Sequence, residues 1–121
     1  MKFFFRKPVF PIFVDMGTEL IVLRRAGEGD RLARLVGPDA EPLDVIDSRV
    51  EGFAYHPEHD IISPLTMKKD WRKAEIIALY NARKPADAPP YAPNLASRKL
   101  VQVFADVVDL VRPTRAARGA R

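Results

Sequence analysis

The chain has 121 residues, of which 47% are hydrophobic and 30% are charged, a composition that fits one globular domain and excludes wholesale disorder. The absence of cysteine excludes disulfide bonds, thiolate zinc sites and thiol nucleophiles. The formal charge of +4 belongs to residues 112–121, which contain four arginines and no acid, so residues 1–111 hold 16 basic and 16 acidic side chains.

The N-terminal segment contains three consecutive phenylalanines, Phe3 to Phe5, before Arg6 and Lys7 interrupt the run. This apolar run is too short for a signal peptide, and no other stretch approaches the ~20 apolar residues that cross a bilayer. We therefore expect a cytoplasmic protein with no membrane partner. The phenylalanines are expected to form a first strand packed in the core or beneath the C-terminal helix; three rings exposed on an edge strand would instead mark a protein contact.

Short β-rich runs separated by turn signals fill the first 66 residues. Pro8 and Pro11 place the first of these runs at a sheet edge or a bulge, because proline cannot donate to a strand ladder. A glycine-rich turn at 27–30 predicts a hairpin between the second and third runs. Tight connections favour an antiparallel meander of five or six strands, curled into a small roll or partly open barrel. The predicted strands are residues 9–14, 19–25, 31–36, 43–47, 49–55 and 61–65.

Two helices, joined by a proline-rich connector over residues 85–94, follow the β-rich part. The first is expected to begin at Asp70, whose carboxylate can accept from free N–H groups, and to end before Pro85. The second is expected to run from Ser97 to Val111 and to bury one stripe against the sheet. The sequence thus predicts an α+β domain over residues 1–111, with both helices covering one face or end of the sheet, and a disordered basic tail over 112–121. The stripe comprises Leu100, Val103, Phe104, Val107, Val108 and Val111.

Basic residues surround the single tryptophan at the entrance of the first helix. Such a cluster, with an aromatic ring that can stack on bases or cations, predicts a contact with an acidic partner. The alternative interpretation is that Trp71 belongs to the core and the cations form the ordinary solvent face of a helix. The predicted binding residues are Lys68, Lys69, Trp71, Arg72 and Lys73, with Arg112, Arg115 and Arg118 of the tail.

The only histidines, His56 and His59, lie together in the sequence YHPEHD beside Glu58 and Asp60. Two imidazoles three residues apart can share a divalent metal, and neighbouring carboxylates can complete or orient the site. The spacing is not that of the HExxH helix, and polar residues are common in turns that contain proline. A solvated hairpin loop is therefore the alternative to a metal site.

No catalytic motif accompanies these residues. None of the serines lies in a Gly-x-Ser-x-Gly turn, and the glycines do not form a phosphate-binding loop. We interpret the chain as a non-catalytic binding or adaptor module without a cofactor, contacting a protein or an acidic polymer through the Trp71 helix and the arginine-rich tail. A nucleic-acid-binding protein and a small metal-dependent enzyme centred on His56 and His59 remain alternatives. Homodimerisation through an edge strand or through the cluster of Phe3, Phe4, Phe5, Phe10 and Phe13 is compatible with each.

Overall fold

The computed structural model describes residues 1–65 and 70–111. Six strands in these ranges form one open, mostly antiparallel sheet, and three α-helices pack against it, which confirms the α+β class. The predicted binding residues at 68, 69, 112, 115 and 118 and the predicted tail lie outside the described residues. The elements are β1 Lys2–Phe3, β2 Ile12–Asp15, β3 Leu20–Leu23, α1 Gly29–Leu35, β4 Leu43–Ile46, β5 Gly52–His56, β6 Ile61–Pro64, α2 Lys73–Arg83 and α3 Leu100–Leu110.

The strand order, β1-β6-β5-β4-β2-β3, differs from a simple meander. β2 and β3 form one hairpin and β4 to β6 form a three-stranded meander, but β2 rather than β3 pairs with β4. At one edge β1 runs parallel to β6, with Lys2 opposite Ile61. This one pair departs from the predicted antiparallel pattern, because most of the sheet lies between β1 and β6 in sequence and provides the long connection that parallel pairing needs.

Residues 31–36, predicted as a strand, belong instead to α1 and its C-terminal end. β3 and β4 both run antiparallel to β2, so they are parallel to each other, and the chain must cross the face of the sheet to join them. A helix makes this crossover. Leu32 and Val36, one helical turn apart, are buried against the sheet, whereas Arg34 and Leu35 are exposed.

Each face of the sheet contributes to a separate core. Alternate residues of β2 divide between them: Ile12 and Val14 pack on the α1 side, and Phe13 packs beneath α2 and α3, where its ring stacks on Phe104 at a centroid distance of 5.0 Å. The predicted stripe of α3 is buried at Val103, Phe104, Val107 and Val108. The two C-terminal helices therefore cover one face, as predicted, while α1 covers the other.

Prolines precede β2 rather than interrupt it. Pro11 is followed directly by the strand, which lies in the interior of the sheet between β3 and β4, so the predicted edge position of this segment is wrong. The side chain of Ser48 donates to the carbonyl oxygen of Pro11 at 2.7 Å, and the Ser48 N–H donates to the carbonyl of Val9 at 2.9 Å. The β4–β5 turn thus holds the residues that enter β2.

Both C-terminal helices begin three residues later than predicted. Asp70 forms an isolated bridge with Glu51, and α2 starts after Arg72, whose N–H donates to the Glu75 carboxylate at 2.9 Å. α3 starts after Lys99, whose N–H donates to the side chain of Gln102 at 2.8 Å. None of the helices within residues 1–65 and 70–111 has the length and apolar character needed to span a membrane.

Candidate functional site

The proline-rich connector returns along α2. The side-chain amide of Asn81 bonds both backbone groups of Tyr91, accepting from its N–H at 2.8 Å and donating to its carbonyl at 3.0 Å. At the other end of α2, the Lys73 ammonium donates to the carbonyl oxygens of Leu95 and Arg98, the latter at 2.9 Å. The segment before α3 therefore lies beside the start of α2, and both helices begin at the same end of the helical layer.

Cations from two separate segments meet at this end. We define the cationic end as Arg72, Lys73, Arg98 and Lys99. Arg72 and Lys99 are exposed, and the Lys73 ammonium is bonded to two neutral carbonyls. The first turn of α3 contains no acid, whereas the first turn of α2 contains Glu75, whose carboxylate accepts from the Arg72 N–H. Four cationic side chains therefore lie at this end of the helical layer, together with the carboxylates of Glu75 and Asp106.

A polar network fixes the cationic end to the connector. Arg98 forms two hydrogen bonds with Asp106, at 2.8 and 2.6 Å, and the Tyr91 hydroxyl donates to the same carboxylate. The Arg98 hydrogen bonds lower the pKa of Asp106 although burial opposes the shift. Burial, followed by the bond to Asp106, raises the pKa of Tyr91 to about 12. Arg98 is thus held in place by a counter-charge, which leaves Arg72 and Lys99 as the exposed members of the set.

Trp71 is half-buried and packs with the core cluster beneath α2 and α3. Its position favours the core interpretation for this residue over stacking on a ligand. Arg98 and Lys99, which in the sequence lie only at the start of the second predicted helix, are found beside α2 because the connector folds back. No local sequence signal carries that information, since it depends on the path of residues 85–94.

The two histidines have different partners. His56, at the end of β5, has its Nε2 atom 3.1 Å from the Ser63 hydroxyl on β6, whereas the exposed His59 lies 3.2 Å from Glu58 in the β5–β6 turn. Across residues 1–65 and 70–111, no group of three or more histidine, aspartate or glutamate side chains could hold a metal ion. The metal hypothesis therefore depends on two imidazoles that contact separate groups.

The N-terminal phenylalanines also separate. Phe3 packs against the core cluster on the α1 side, but Phe4 is 49% exposed and Phe5 is 97% exposed. The expectation that all three rings are buried is wrong for Phe4 and Phe5, because β1 ends at Phe3 and the backbone turns sharply at Phe5, where φ is +66°. We call Phe4 and Phe5 the aromatic knuckle.

A cavity of about 320 Å³ lies between the loop that precedes β4 and the β5–β6 turn. Prolines form most of its apolar wall, and acidic side chains from both segments line it as well. We call this cavity the acidic pocket. Its lining residues are Pro38, Asp39, Ala40, Glu41, Pro42, Pro57 and Glu58.

The described surface thus offers three features of distinct chemistry: the cationic end, the aromatic knuckle and the acidic pocket. The first lies on the helical layer, the second follows β1, and the third is formed by loops beside β4 and β5. Comparison with known proteins found no matching family model, no matching curated protein and no matching solved structure.

Proposed function

We propose that this protein is a non-catalytic binding or adaptor module that contacts an acidic partner, a polyanion or an acidic protein surface, through the Trp71 helix and the arginine-rich tail. The observation that carries the proposal is the contact between Lys73 and the Arg98 carbonyl, which joins the cations of two segments into one surface. The proposal includes the further basic residues of the sequence on either side of the described helices. These are Lys68, Lys69, Arg112, Arg115 and Arg118.

Counterion release gives the proposal a measurable consequence. Each cation that neutralises a phosphate of duplex DNA steepens the dependence of log affinity on log salt by about 0.9 units. Arg72 and Lys99 are the exposed members of the cationic end, so together they should account for about 1.8 units. Lys73 and Arg98, which are bonded within the protein, are expected to contribute through the local field rather than by direct contact.

Binding of a labelled DNA duplex, measured by anisotropy at several salt concentrations, tests the assignment. The double variant Arg72→Ala/Lys99→Ala should bind more weakly and lower the slope by about 1.8 units. The matched control, Arg25→Ala/Arg34→Ala, removes the same charge from exposed positions next to and within α1, on the other face of the sheet, and should leave the slope unchanged. Equal weakening by both variants would mean a diffuse effect of net charge and would contradict a defined surface.

The tail is tested separately in the full-length chain. Replacing all four tail arginines by alanine should lower the slope by up to about 3.6 units if each meets a phosphate. Parallel titrations with heparin distinguish general polyanion binding from recognition of nucleic acid, because only the latter favours the duplex when charge is matched. A slope that the tail variant leaves unchanged would remove the tail from the binding surface.

A further inference from the structure

The aromatic knuckle is a rigid feature of the surface. The N–H of Arg6 donates to the carbonyl of Phe4 at 2.7 Å, which closes a three-residue γ-turn with Phe5 at its apex. On one side, the Phe4 N–H donates to the carbonyl of Ile62 at 3.0 Å. On the other side, the Arg6 guanidinium pairs with Glu51 at 3.0 Å. Both flanks of the turn are therefore fixed to the sheet while the Phe5 ring projects into solvent.

The backbone of Phe5 is strained without an evident local compensation. Three non-glycine residues among those described have positive φ: Phe5, Val50 and Asp60. The Val50 side chain is buried in the core, and the Asp60 carboxylate accepts a hydrogen bond from the Tyr55 hydroxyl at 2.7 Å. The Phe5 ring is 97% exposed and makes an edge contact with the Phe4 ring. A large apolar side chain held out on a strained turn has the properties of an anchor for another molecule.

Charge around the knuckle restricts the partner. Lys2 and Lys7 are exposed on either side of the two phenylalanines, whereas Arg6 and Glu51 neutralise each other. The complementary surface presents carboxylates to the two lysines and apolar rings on which the phenylalanines can pack, since opposite charges fix the register and aromatic anchors bury apolar surface.

The acidic pocket of this same chain offers both kinds of group. Its lining is more polar than apolar: the exposed acids Asp39, Glu41 and Glu58 lie beside three prolines and Ala40. The β5–β6 turn, which forms one side of the pocket, precedes β6, whereas the knuckle lies beyond the opposite end of the parallel β1–β6 pair. The pocket and knuckle of one copy therefore lie at opposite ends of these strands and cannot meet.

We propose that the aromatic knuckle of one copy inserts into the acidic pocket of a second copy. The contact is head-to-tail, so each pair keeps one free knuckle and one free pocket, and further copies can add until a ring closes. Association therefore increases with protein concentration and weakens with salt, because the rim contacts pair lysines with carboxylates across an exposed boundary. This inference is independent of the cationic end and of any polyanion.

Sedimentation velocity of the full-length chain over a wide concentration range tests the proposal. Wild type should form dimers and larger species as concentration rises. Phe5→Ser removes the knuckle, and Glu41→Lys/Glu58→Lys reverses charge at the pocket; each variant alone should remain monomeric. A mixture of the two should form a one-to-one dimer and nothing larger, because one intact knuckle and one intact pocket remain. Val101→Ser, at another exposed apolar position, is the matched control and should associate like wild type.

Several results would overturn the proposal: a wild type that stays monomeric throughout, variants that associate like wild type, or a mixture that fails to form the dimer. Phe5→Gly separates a binding defect from a folding defect. Glycine adopts positive φ without steric penalty, so this variant should lose association yet show a higher urea midpoint than wild type when both are measured at a concentration where they are monomeric. A lowered midpoint would mean that Phe5 serves the fold and would contradict its role as an anchor.

Discussion

The carboxylate of Asp47 bonds the backbone on both sides of Val50, a buried residue with left-handed backbone (φ +62°). One oxygen accepts from the N–H groups of Arg49 at 3.0 Å and Glu51 at 3.1 Å, and the other accepts from the N–H of Val9 at 3.0 Å. The Asp47 side chain is fully buried. A single carboxylate therefore holds the β4–β5 turn in a strained shape and ties it to the segment that enters β2.

Replacing Asp47 by asparagine should reduce the free energy of unfolding by about 2 to 3 kcal/mol, because hydrogen bonds to a charged acceptor are stronger than neutral ones and the amide directs its own N–H groups at backbone donors. Urea denaturation at pH 7 measures the loss. Asp44→Asn, on the exposed side of β4, is the control and should change stability by less than about 0.5 kcal/mol. Equal losses in the two variants would contradict the role of the buried carboxylate.

We expect the variant Val50→Gly to be at least as stable as the variant Val50→Ala. Val50→Ala removes two buried methyl groups, at a cost of about 1 to 2 kcal/mol, and keeps a side chain in the left-handed region. Val50→Gly loses more apolar surface but relieves about 1 kcal/mol of backbone strain. At ordinary strand positions alanine is instead favoured by about 0.5 to 1 kcal/mol. Urea denaturation of both variants provides the comparison, and a clear advantage for alanine would show that the turn is unstrained.

The Tyr91 hydroxyl should ionise at a higher pH than an ordinary tyrosine. Burial and the bond to Asp106 raise its pKa to about 12, above the ordinary value of 10.0, so absorbance at 295 nm should show a phenol that ionises near pH 12 and is lost in Tyr91→Phe. Burial, followed by Asp60, raises the pKa of Tyr55 as well, so Tyr55→Phe must be measured alongside. Because the folded pKa exceeds the unfolded one, the Tyr91 contribution to stability is complete below pH 10 and is lost as pH rises through about 12. A Tyr91 that ionises near pH 10 would contradict both the burial of its hydroxyl and the bond to Asp106.

Asp106 should make stability depend on pH in the acid range. Its hydrogen bonds with Arg98 lower its pKa in the folded state, so the unfolded chain binds more protons and stability rises with pH in this window. The contribution is complete above the unfolded pKa of about 4 and is lost as pH falls through the lower folded value. The difference in urea midpoint between wild type and Asp106→Asn should therefore shrink from pH 7 to pH 3. Arg98→Gln, which removes the cause of the shift, should reduce the same pH dependence.

Local sequence patterns predicted much of the secondary structure but not the order in which the strands pair. The apolar stripe of α3 has only one interpretation, because its spacing places every member on one side of a helix. The sequence RLARLV of residues 31–36 fits both a strand and a helix, and the choice was decided by β2 lying between β3 and β4. The strand order is a property of the whole sheet, and the sequence of residues 31–36 does not indicate it.

The candidate surfaces were predictable to different degrees. The basic character near Trp71 was visible in the sequence, but the approach of Lys99 to this region depends on the folded-back connector, which Asn81 and Tyr91 hold through a pair of hydrogen bonds. The exposure of Phe5 depends on a turn whose positive φ phenylalanine does not favour. The conformation of a residue that departs from its usual backbone preference cannot be predicted from that preference.

The pairing of β1 with β6 has a consequence for biosynthesis. As the polypeptide leaves the ribosome, β1 emerges early, yet its partner β6 is translated only after most of the sheet. Until then β1 has no strand to pair with and Phe3 has no core to pack against, and nascent apolar segments are substrates for chaperones. We expect this edge of the sheet to close last, so ribosome-bound chains stalled before β6 should be more sensitive to protease at the N-terminal segment than chains stalled after it.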